Sequence, residues 1–236
     1  MSVPVLTPGS AVVFVAGATG AIGFPLVVAL VERGWRVVGT TRKREGAERL
    51  RVVGVIPEVV DVYDRGALTA CVRRHDPAVV IHQLTDLPYG VPREQMAEAI
   101  ERNNRIRLIG TRHLLDAVGD TPLRLIVQSI AFMYADGPIP HREDDPLSSP
   151  ALESFERMVL DSPHDCTVLR YGRFYGERTG VDRVSLPCRV NVTAAVHATL
   201  LAIEPMAHRV YNVCEDAEYA DPGRFVAETS WTAAAP

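Results

Sequence analysis

The first residues whose types and spacing could do chemistry are three glycines, Gly17, Gly20 and Gly23, in the segment GATGAIG. The segment lies between an apolar, β-branched run and a run with helical periodicity. There, the first glycine permits a tight turn, the second lets the backbone approach a pyrophosphate, and the third lets the helix pack closely. Free N–H groups at the start of the helix favour phosphate. The predicted dinucleotide contacts are Gly17, Thr19, Gly20, Ala21, Ile22 and Gly23.

A basic segment, TTRKR, follows the second apolar run, where an NAD site usually has a carboxylate for the ribose hydroxyls. No carboxylate occurs there before Glu45. A guanidinium can bind a 2′-phosphate, which a carboxylate would repel. We therefore predict NADP(H) in preference to NAD(H), with Arg42 as the main contact and Thr41 or Lys43 assisting. The alternative is a solvated basic helix start, which suits Lys43 and Arg44 better than Arg42.

Asp61 and Val62 follow the third apolar run in the segment VVDVYD. The carboxylate of Asp61 could accept a hydrogen bond from an adenine amino group, and Val62 could pack on the ring. Alternatively, Asp61 or Asp64 could cap the next helix, because aspartate is a favoured N-cap residue. We assign Asp64 to the cap and Asp61 to the adenine.

Strands and helices that alternate along the chain must position these residues. The predicted strands are 12–16, 36–41, 53–61, 77–84, 123–129, 166–172 and 209–213. The predicted helices are 21–33, 45–50, 64–75, 93–118, 151–160 and 192–203. This order predicts an α/β fold with a doubly wound parallel sheet of Rossmann type. We expect a nucleotide-binding domain over residues 1–170, with a small substrate-side region over 171–236 packed on it.

Composition limits the classes of partner and compartment. A formal net charge of -4 over 236 residues gives no reason to expect nucleic-acid binding. The four cysteines are far apart and form no CxxC pair, which indicates free thiols in a reducing compartment and predicts no metal. We find neither a secretory signal pattern nor an apolar run approaching the ~18 residues of a membrane span. We expect a cytoplasmic protein without a membrane partner.

Several motifs in their order carry a family resemblance: GATGAIG, VVIHQLTDLP, NNRIRLIGTRHLLDAV, LRYGRFYG and VYNV. The chain resembles the extended or atypical branch of the short-chain dehydrogenase/reductase superfamily, often labelled the NAD-dependent epimerase/dehydratase family. The resemblance implies that Leu84, Thr85 and His82 line the ribose and nicotinamide side, and that Asn104 lies on the helix facing that site. A hydrogen-bonded residue at a strand end is an equally good interpretation of His82.

The resemblance also implies a homodimer through the helices predicted at 93–118 and 151–160. The arginine and histidine side chains between Arg102 and His113 are then expected on a solvated or subunit-contact face. Only a short segment separates LRYGRFYG from the helix predicted at 192–203, where relatives have a longer substrate-binding segment. We therefore expect a small substrate lid.

The resemblance further implies a redox site with a serine or threonine after strand five and Tyr-x-x-x-Lys on the next helix. In that pair the lysine lowers the tyrosine pKa, so the phenol can exchange a proton while hydride moves at the nicotinamide. The corresponding helix here has Phe155 and Val159 at that spacing, and no lysine follows Lys43. The sequence therefore lacks the Tyr-x-x-x-Lys dyad.

Ser129, at the end of strand five, is the predicted catalytic hydroxyl. The sequence defines the position of that hydroxyl along the strand to within one residue. Tyr134 is the second predicted catalytic residue, although a packed loop aromatic is also consistent with it. Other candidates are Tyr171 and Tyr175 after strand six, and His141, Glu143, Asp144 and Asp145 in the polar loop.

Three functions remain open from the sequence. The first is an NAD(P)-dependent oxidoreductase or epimerase-like enzyme acting on a small carbonyl or hydroxyl substrate with a nonstandard active site. The second is an NADP(H)-binding regulatory or sensor protein without turnover, and the third is a lyase or isomerase on the same scaffold. The fold alone does not decide between them.

Overall fold

The computed structural model describes residues 7–9, 11–87 and 91–233. Seven parallel strands form the main sheet, in the lateral order β3-β2-β1-β4-β5-β6-β9. The strands are β1 (Val12–Ala16), β2 (Arg36–Thr41), β3 (Ile56–Val59), β4 (Val79–His82), β5 (Arg124–Ile130), β6 (Asp165–Tyr171), β7 (Arg173–Tyr175), β8 (Arg189–Asn191) and β9 (Val210–Val213). Strands β7 and β8 pair in a separate two-stranded sheet. The predicted doubly wound fold class is confirmed.

Helices cover both faces of the sheet. They are α1 (Gly23–Glu32), α2 (Arg44–Val52), α3 (Arg65–His75), α4 (Met96–Arg105), α5 (Thr111–Val118), α6 (Pro150–Leu160), α7 (Val192–Leu201) and α8 (Gly223–Thr229). A 3₁₀ turn, Arg93–Gln95, leads into α4, and a π-helical turn, Ile106–Gly110, joins α4 to α5. No helix in these described ranges is long and apolar enough to cross a membrane.

Two apolar cores lie on opposite faces of the sheet. In β1, Val13 and Val15 belong to the core beneath α1 and α7, whereas Phe14 and Ala16 belong to the core beneath α3, α5 and α6. Successive side chains of a strand point to opposite faces, so a strand covered on both faces must be apolar throughout. This explains why the strands appear in the sequence as continuous apolar runs.

Local capping chemistry sets the ends of several elements. Asp64 is the N-cap of α3, where its Oδ1 accepts a hydrogen bond from Ala67 N at 2.9 Å, as predicted. Gly119 ends α5 with a φ of 68°. Strand β3 is shorter than predicted and ends at Val59, because the chain turns at Asp61, whose carbonyl accepts from Asp64 N. The fold also contains β7, β8 and the π turn, which periodicity did not indicate.

The expectation of a solvated face between Arg102 and His113 is wrong for Arg107. This side chain is only 6% exposed, while Arg105 and Arg112 are exposed. A π turn closes its hydrogen bond over one more residue than an α-helical turn, so it rotates the following side chains relative to the helix before it. Arg107 lies within this turn and points to the interior. The homodimer stays a prediction.

Arg124 joins the start of β5 to the end of α7. Its guanidinium donates to the carbonyl oxygens of Ala202, at 3.1 and 2.8 Å, and Glu204, at 2.6 Å. It also pairs with Asp165 Oδ2 at 2.7 Å, and the Arg124 side chain is 2% exposed. One buried cation thus satisfies backbone acceptors at a helix end that would otherwise lack partners.

We expect Arg124→Met to lower the free energy of unfolding by about 2–4 kcal/mol, because it leaves buried carbonyl groups without donors. Urea denaturation followed by circular dichroism measures this. The matched control is Arg157→Met, which breaks the solvent-exposed pair with Glu153 and should change stability by less than about 0.5 kcal/mol. Equal effects of the two substitutions on stability would contradict the role given to Arg124 at the end of α7.

Candidate functional site

A cleft opens at the carboxyl ends of β1, β2 and β4, where the lateral strand order reverses. In a doubly wound sheet this switch point is where ligands bind. Of the residues predicted to bind the cofactor, the structure brings together Gly17, Thr19, Gly20, Thr41, Arg42, Val62, Leu84 and Thr85 as lining residues.

The glycine turn forms the floor of the cleft. Gly17 has a φ of 89°, and a Cβ there would lie 2.6 Å from the carbonyl oxygen of Gln83. Gly23 begins α1, and a Cβ on it would overlap the carbonyl oxygen of Gly17. Only the Gly17 oxygen, at 3.4 Å, lies near a Cβ built on Gly20, so this backbone is open to a ligand. The turn and the start of α1 therefore fit a pyrophosphate.

Ala21 and Ile22 connect the open part of the turn to the helix. Ile22 is buried in the core beneath α1, and neither residue lines the cleft. The turn is held to β2 because Gly17 N donates to Thr40 Oγ1 at 3.2 Å. The threonine before Thr41 thus fixes the glycine turn, a role that the sequence did not indicate.

The end of β2 supplies the cationic side of the cleft. Thr41 Oγ1 accepts a hydrogen bond from Lys43 N at 3.3 Å, and Thr41 is buried. The Arg42 side chain is 53% exposed and lies 3.8 Å from Asp86 Oδ1. Such an exposed, loose pair contributes little to stability and leaves the guanidinium available to a ligand.

Two predicted contacts lie outside the cleft lining. Asp61 is exposed, and its Oδ1 accepts from Tyr63 N at 2.9 Å, while Val60 and Val62 on either side line the cleft. Asn104 is half-buried, and its neighbour Asn103 accepts a hydrogen bond from Asp86 N at 2.9 Å. The structure thus places Asn103, rather than Asn104, against the loop after β4.

Two residues at the cleft escaped the sequence interpretation. Gln83 lines it, is 4% exposed, and neither of its amide atoms has a hydrogen-bond partner in the described ranges. Arg178 donates to the carbonyl oxygen of Thr19 at 3.5 Å, and its guanidinium lies 4.5 Å from the centroid of the Phe24 ring. Arg178 is 159 positions from Thr19 in the chain, so no local pattern could connect them.

Ser129 and Tyr134 belong to a buried network and do not line the cleft. Ser129 Oγ donates to Glu156 Oε1 at 2.5 Å. Glu156 Oε2 pairs with Arg170 Nη2 at 2.7 Å. Tyr134 OH donates to Asn212 Oδ1 at 2.7 Å and accepts from Arg170 Nη1 at 2.9 Å. Burial raises the pKa of Tyr134 to about 12, so its phenol stays protonated.

The other candidates after strand five also make intramolecular contacts. Phe155 and Val159, which stand where the Tyr-x-x-x-Lys dyad was expected, are fully buried in the apolar core beneath α6. His141 stacks on Tyr134, with ring centroids 4.8 Å apart, and Glu143 Oε1 accepts from Asn212 N at 2.9 Å. The remaining contacts are Asp144 with Arg224, Asp145 with His141, Tyr171 with Thr199, and Tyr175 with Glu215.

His82 lies at the end of β4 between the cleft and α5. Its Nδ1 accepts from Leu84 N at 3.3 Å, so the ring proton is on Nε2, which donates to Thr111 Oγ1 at 2.8 Å. Burial lowers the pKa of His82 from 6.5 to about 4. The imidazole is therefore neutral near pH 7 and holds the loop that carries Leu84.

A separate cluster brings Glu58, Cys71 and His75 within 4.8 Å of one another. The i, i+4 spacing of the cysteine and the histidine on α3 escaped the sequence interpretation. His75 Nε2 lies 2.6 Å from Glu58 Oε1, and Arg74 Nη2 lies 3.0 Å from Glu58 Oε2. The carboxylate is thus already shared by two partners, and the guanidinium opposes a metal cation there.

The parallel sheet with a glycine turn at its switch point defines a dinucleotide-binding protein of Rossmann type. The model of the NAD dependent epimerase/dehydratase family matches residues 13–191, and the chain belongs to that family. The resemblance predicted from the motifs is confirmed, and a nicotinamide dinucleotide is the cofactor class of this family.

Two curated relatives are reductases by name. The chain is 42% identical over 185 residues to a 3-diazoavenalumate denitrifying reductase of Streptomyces sp, covering 72% of this chain and 59% of the relative. It is 32% identical over 118 residues to a putative NADPH-dependent methylglyoxal reductase of Candida albicans, covering 43% of this chain and 34% of the relative. The matched part is thus less than two thirds of each relative.

Solved structures share the fold at low identity. A UDP-glucose 4-epimerase from Thermotoga maritima with UDP-glucose superposes with a TM-score of 0.73 and 18% identity, covering 94% of this chain and 93% of that chain. A Thermus thermophilus UDP-glucose 4-epimerase in complex with NAD gives a TM-score of 0.72 and 21% identity, covering 94% of each chain. These likenesses support the architecture.

We expect His82→Asn to reduce the acid sensitivity of folding. Because the folded-state pKa of about 4 lies below the unfolded value of 6.5, protons bind the unfolded chain more strongly. Falling pH should therefore remove about 3 kcal/mol of wild-type stability between pH 6.5 and 4 through this group. Urea denaturation from pH 7.5 to 4 should show a shallower loss in the variant.

The control is Thr111→Val, which removes the partner of His82 without removing its titratable ring. This variant should lose stability at pH 7.5 and retain the acid sensitivity. Parallel pH profiles for wild type and His82→Asn would show that protonation of His82 does not govern the acid response.

Proposed function

We propose that this chain is an NADP(H)-dependent reductase. The observation that carries the proposal is the position of Arg42 and Thr41 beside the glycine turn, in a cleft whose described lining contains no carboxylate. A 2′-phosphate next to that guanidinium would gain a charge-assisted, bidentate contact. The names of two relatives, a reductase and an NADPH-dependent reductase, are consistent with this.

The chain's own residues provide distinct parts of the cofactor site. We assign the pyrophosphate to the turn from Gly17 to Gly20, and the adenine to the apolar wall that contains Val60 and Val62. Leu84 and Thr85 would hold the nicotinamide riboside. When bound there, NADPH supplies a hydride to an acceptor.

Within the described residues we find no phenol–ammonium pair for protonating that acceptor. The face of α6 that packs on the sheet carries Leu152, Phe155 and Val159, all buried and apolar. Lys43 is the only lysine in the chain. Tyr134 is held by Arg170 and Asn212. An acceptor that needs no proton from the protein therefore suits this site.

An arenediazonium cation is such an acceptor, and the 42% identical relative is named for a diazo substrate and for denitrification. Hydride forms the new C–H bond at the ring carbon, the C–N bond breaks, and its electron pair leaves with dinitrogen. The cationic acceptor and the hydride give a neutral arene, so the charges balance without a proton. We propose an aromatic diazo compound as the substrate class.

Arg42→Ala should weaken NADPH binding by about 10–100-fold, because a hydrogen-bonded charge contact contributes about 1.5–3 kcal/mol. NADH binding should change by less than about threefold, since NADH lacks the 2′-phosphate. Isothermal titration of both cofactors measures the difference. The control is Arg44→Ala, an exposed arginine at the start of α2 outside the cleft lining, which should leave both affinities unchanged. Tighter wild-type binding of NADH than of NADPH would reject the cofactor assignment.

With an arenediazonium salt and NADPH deuterated at C4, the expected arene carries deuterium at the carbon that lost nitrogen. One dinitrogen should be released for each NADPH oxidised, above the rate without protein.

Tyr134→Phe should retain turnover, whereas a loss of about 100-fold or more would assign Tyr134 as the catalytic acid. Deuterium arriving from D₂O solvent instead would refute the hydride route. Tight NADPH binding with no turnover would favour a regulatory protein, and conversion without NADPH oxidation would favour a lyase or isomerase.

A further inference from the structure

Arg107 lies in the π-helical turn between α4 and α5 and is 6% exposed. It makes no hydrogen bond or ion pair within the part of the chain that the structure describes. Burial lowers the pKa of its guanidinium to about 10, so the group still carries its charge at neutral pH. π turns are rare and occur frequently at functional sites.

The other buried arginines of the described ranges are compensated. Arg124 pairs with Asp165 and donates to two backbone carbonyl oxygens, and Arg170 pairs with Glu156. A buried charge is strongly disfavoured unless it is paired and hydrogen-bonded. Arg107 is therefore the exception among these three arginines, because its guanidinium has no partner in the described ranges. Its nitrogens are not among the fully enclosed unpaired atoms, so a small ligand or water can reach them.

The negative charge of Glu156 favours the charged form of Arg107 and so raises its pKa. The oxygens of Glu156 already accept hydrogen bonds from other residues. Oε1 accepts from Ser129 Oγ at 2.5 Å and from Arg170 Nε at 3.0 Å. Oε2 accepts from Arg170 Nη2 at 2.7 Å. Glu156 thus moderates the cost of the Arg107 charge without satisfying its hydrogen-bond donors.

The position of Arg107 is next to the cofactor cleft. The preceding residue, Ile106, lines that cleft. The positive charge of Arg107 also contributes to lowering the pKa of His82 at the end of β4. The cleft and His82 both lie at the carboxyl ends of the strands, where an acceptor must meet the nicotinamide side of the site. Arg107 thus lies one residue along the chain from the cleft lining and close enough to His82 for its charge to act on that ring.

We propose that Arg107 binds an anionic group of the acceptor and that this group is a carboxylate. The proposal rests on the proposed reductase function. A planar guanidinium matches a carboxylate in bidentate fashion. A single cation beside a neutral histidine balances one negative charge, whereas a phosphate dianion would call for a second cation. The substrate class becomes an aromatic diazo compound that also carries a carboxylate.

The probes for a test are trans-cinnamate and the uncharged trans-cinnamamide, titrated calorimetrically into the full chain with saturating NADP⁺. Wild type should bind cinnamate about 10-fold or more tightly than the amide, as expected for a charge-assisted contact. Arg107→Met should abolish this preference, and Arg107→Lys should retain part of it. NADPH affinity should stay within about twofold in both variants, because Arg107 contacts the acceptor.

Thermal unfolding distinguishes a binding role of Arg107 from a structural role. If Arg107 mainly stabilised the fold, its replacement would lower the melting temperature. Arg107→Met should raise the melting temperature, since it replaces an unpaired buried charge by an apolar side chain of similar length. The control is Arg112→Met at an exposed position of α5, which should change neither the melting temperature nor the cinnamate preference.

A fall in the melting temperature of Arg107→Met, or no preference for cinnamate in wild type, would overturn the proposal. Loss of NADPH affinity in Arg107→Met would assign the guanidinium to the cofactor and also overturn it. If wild type fails to bind NADPH, the proposed reductase function fails, and this inference fails with it. If NADPH binds and the cinnamate preference survives Arg107→Met, only the inference about Arg107 fails.

Discussion

The buried ion pair between Glu156 and Arg170 is the interaction on which the carboxyl end of the sheet depends. It joins α6 to β6 and orders Ser129 at the end of β5. Arg170 also donates to Tyr134 OH and to the Glu143 carbonyl oxygen, which fixes the loop after β5. A buried ion pair of this kind is tolerated because its remaining donors and acceptors are also hydrogen-bonded.

This satisfied network contrasts with the groups around the cofactor cleft. Gln83 has no partner for its amide within the described ranges, Arg178 has an unpaired Nε, and Arg107 has no acceptor there. Polar groups left unsatisfied in a folded protein usually meet water or a ligand. Ser129 and Tyr134 thus make their hydrogen bonds inside the protein, whereas the amide of Gln83 at the cleft makes none in the described ranges.

The sequence predicted what local patterns determine. The apolar run of β1, the glycine turn and the cap at Asp64 each depend on neighbouring residues, and each lies where periodicity or capping placed it. The partner of Ser129 is 27 positions away and the contact of Arg178 is 159 positions away. Such contacts follow from the packing of whole elements, which explains why the partner of Ser129, the position of Arg178 and the π turn escaped prediction.

The placement of β9 beside β6 has a consequence for how the chain folds. Strand β9 spans Val210–Val213 and pairs with β6, so one edge of β6 stays open until β9 has been synthesised. Asn212 lies in that strand and contacts Tyr134 and Glu143, so the network around Arg170 closes at the same late moment. Exposed strand edges pair readily with other chains. A nascent or truncated chain that lacks β9 therefore exposes an unpaired strand edge beside an incomplete polar network, and pairing of β9 with β6 protects the sheet against aggregation.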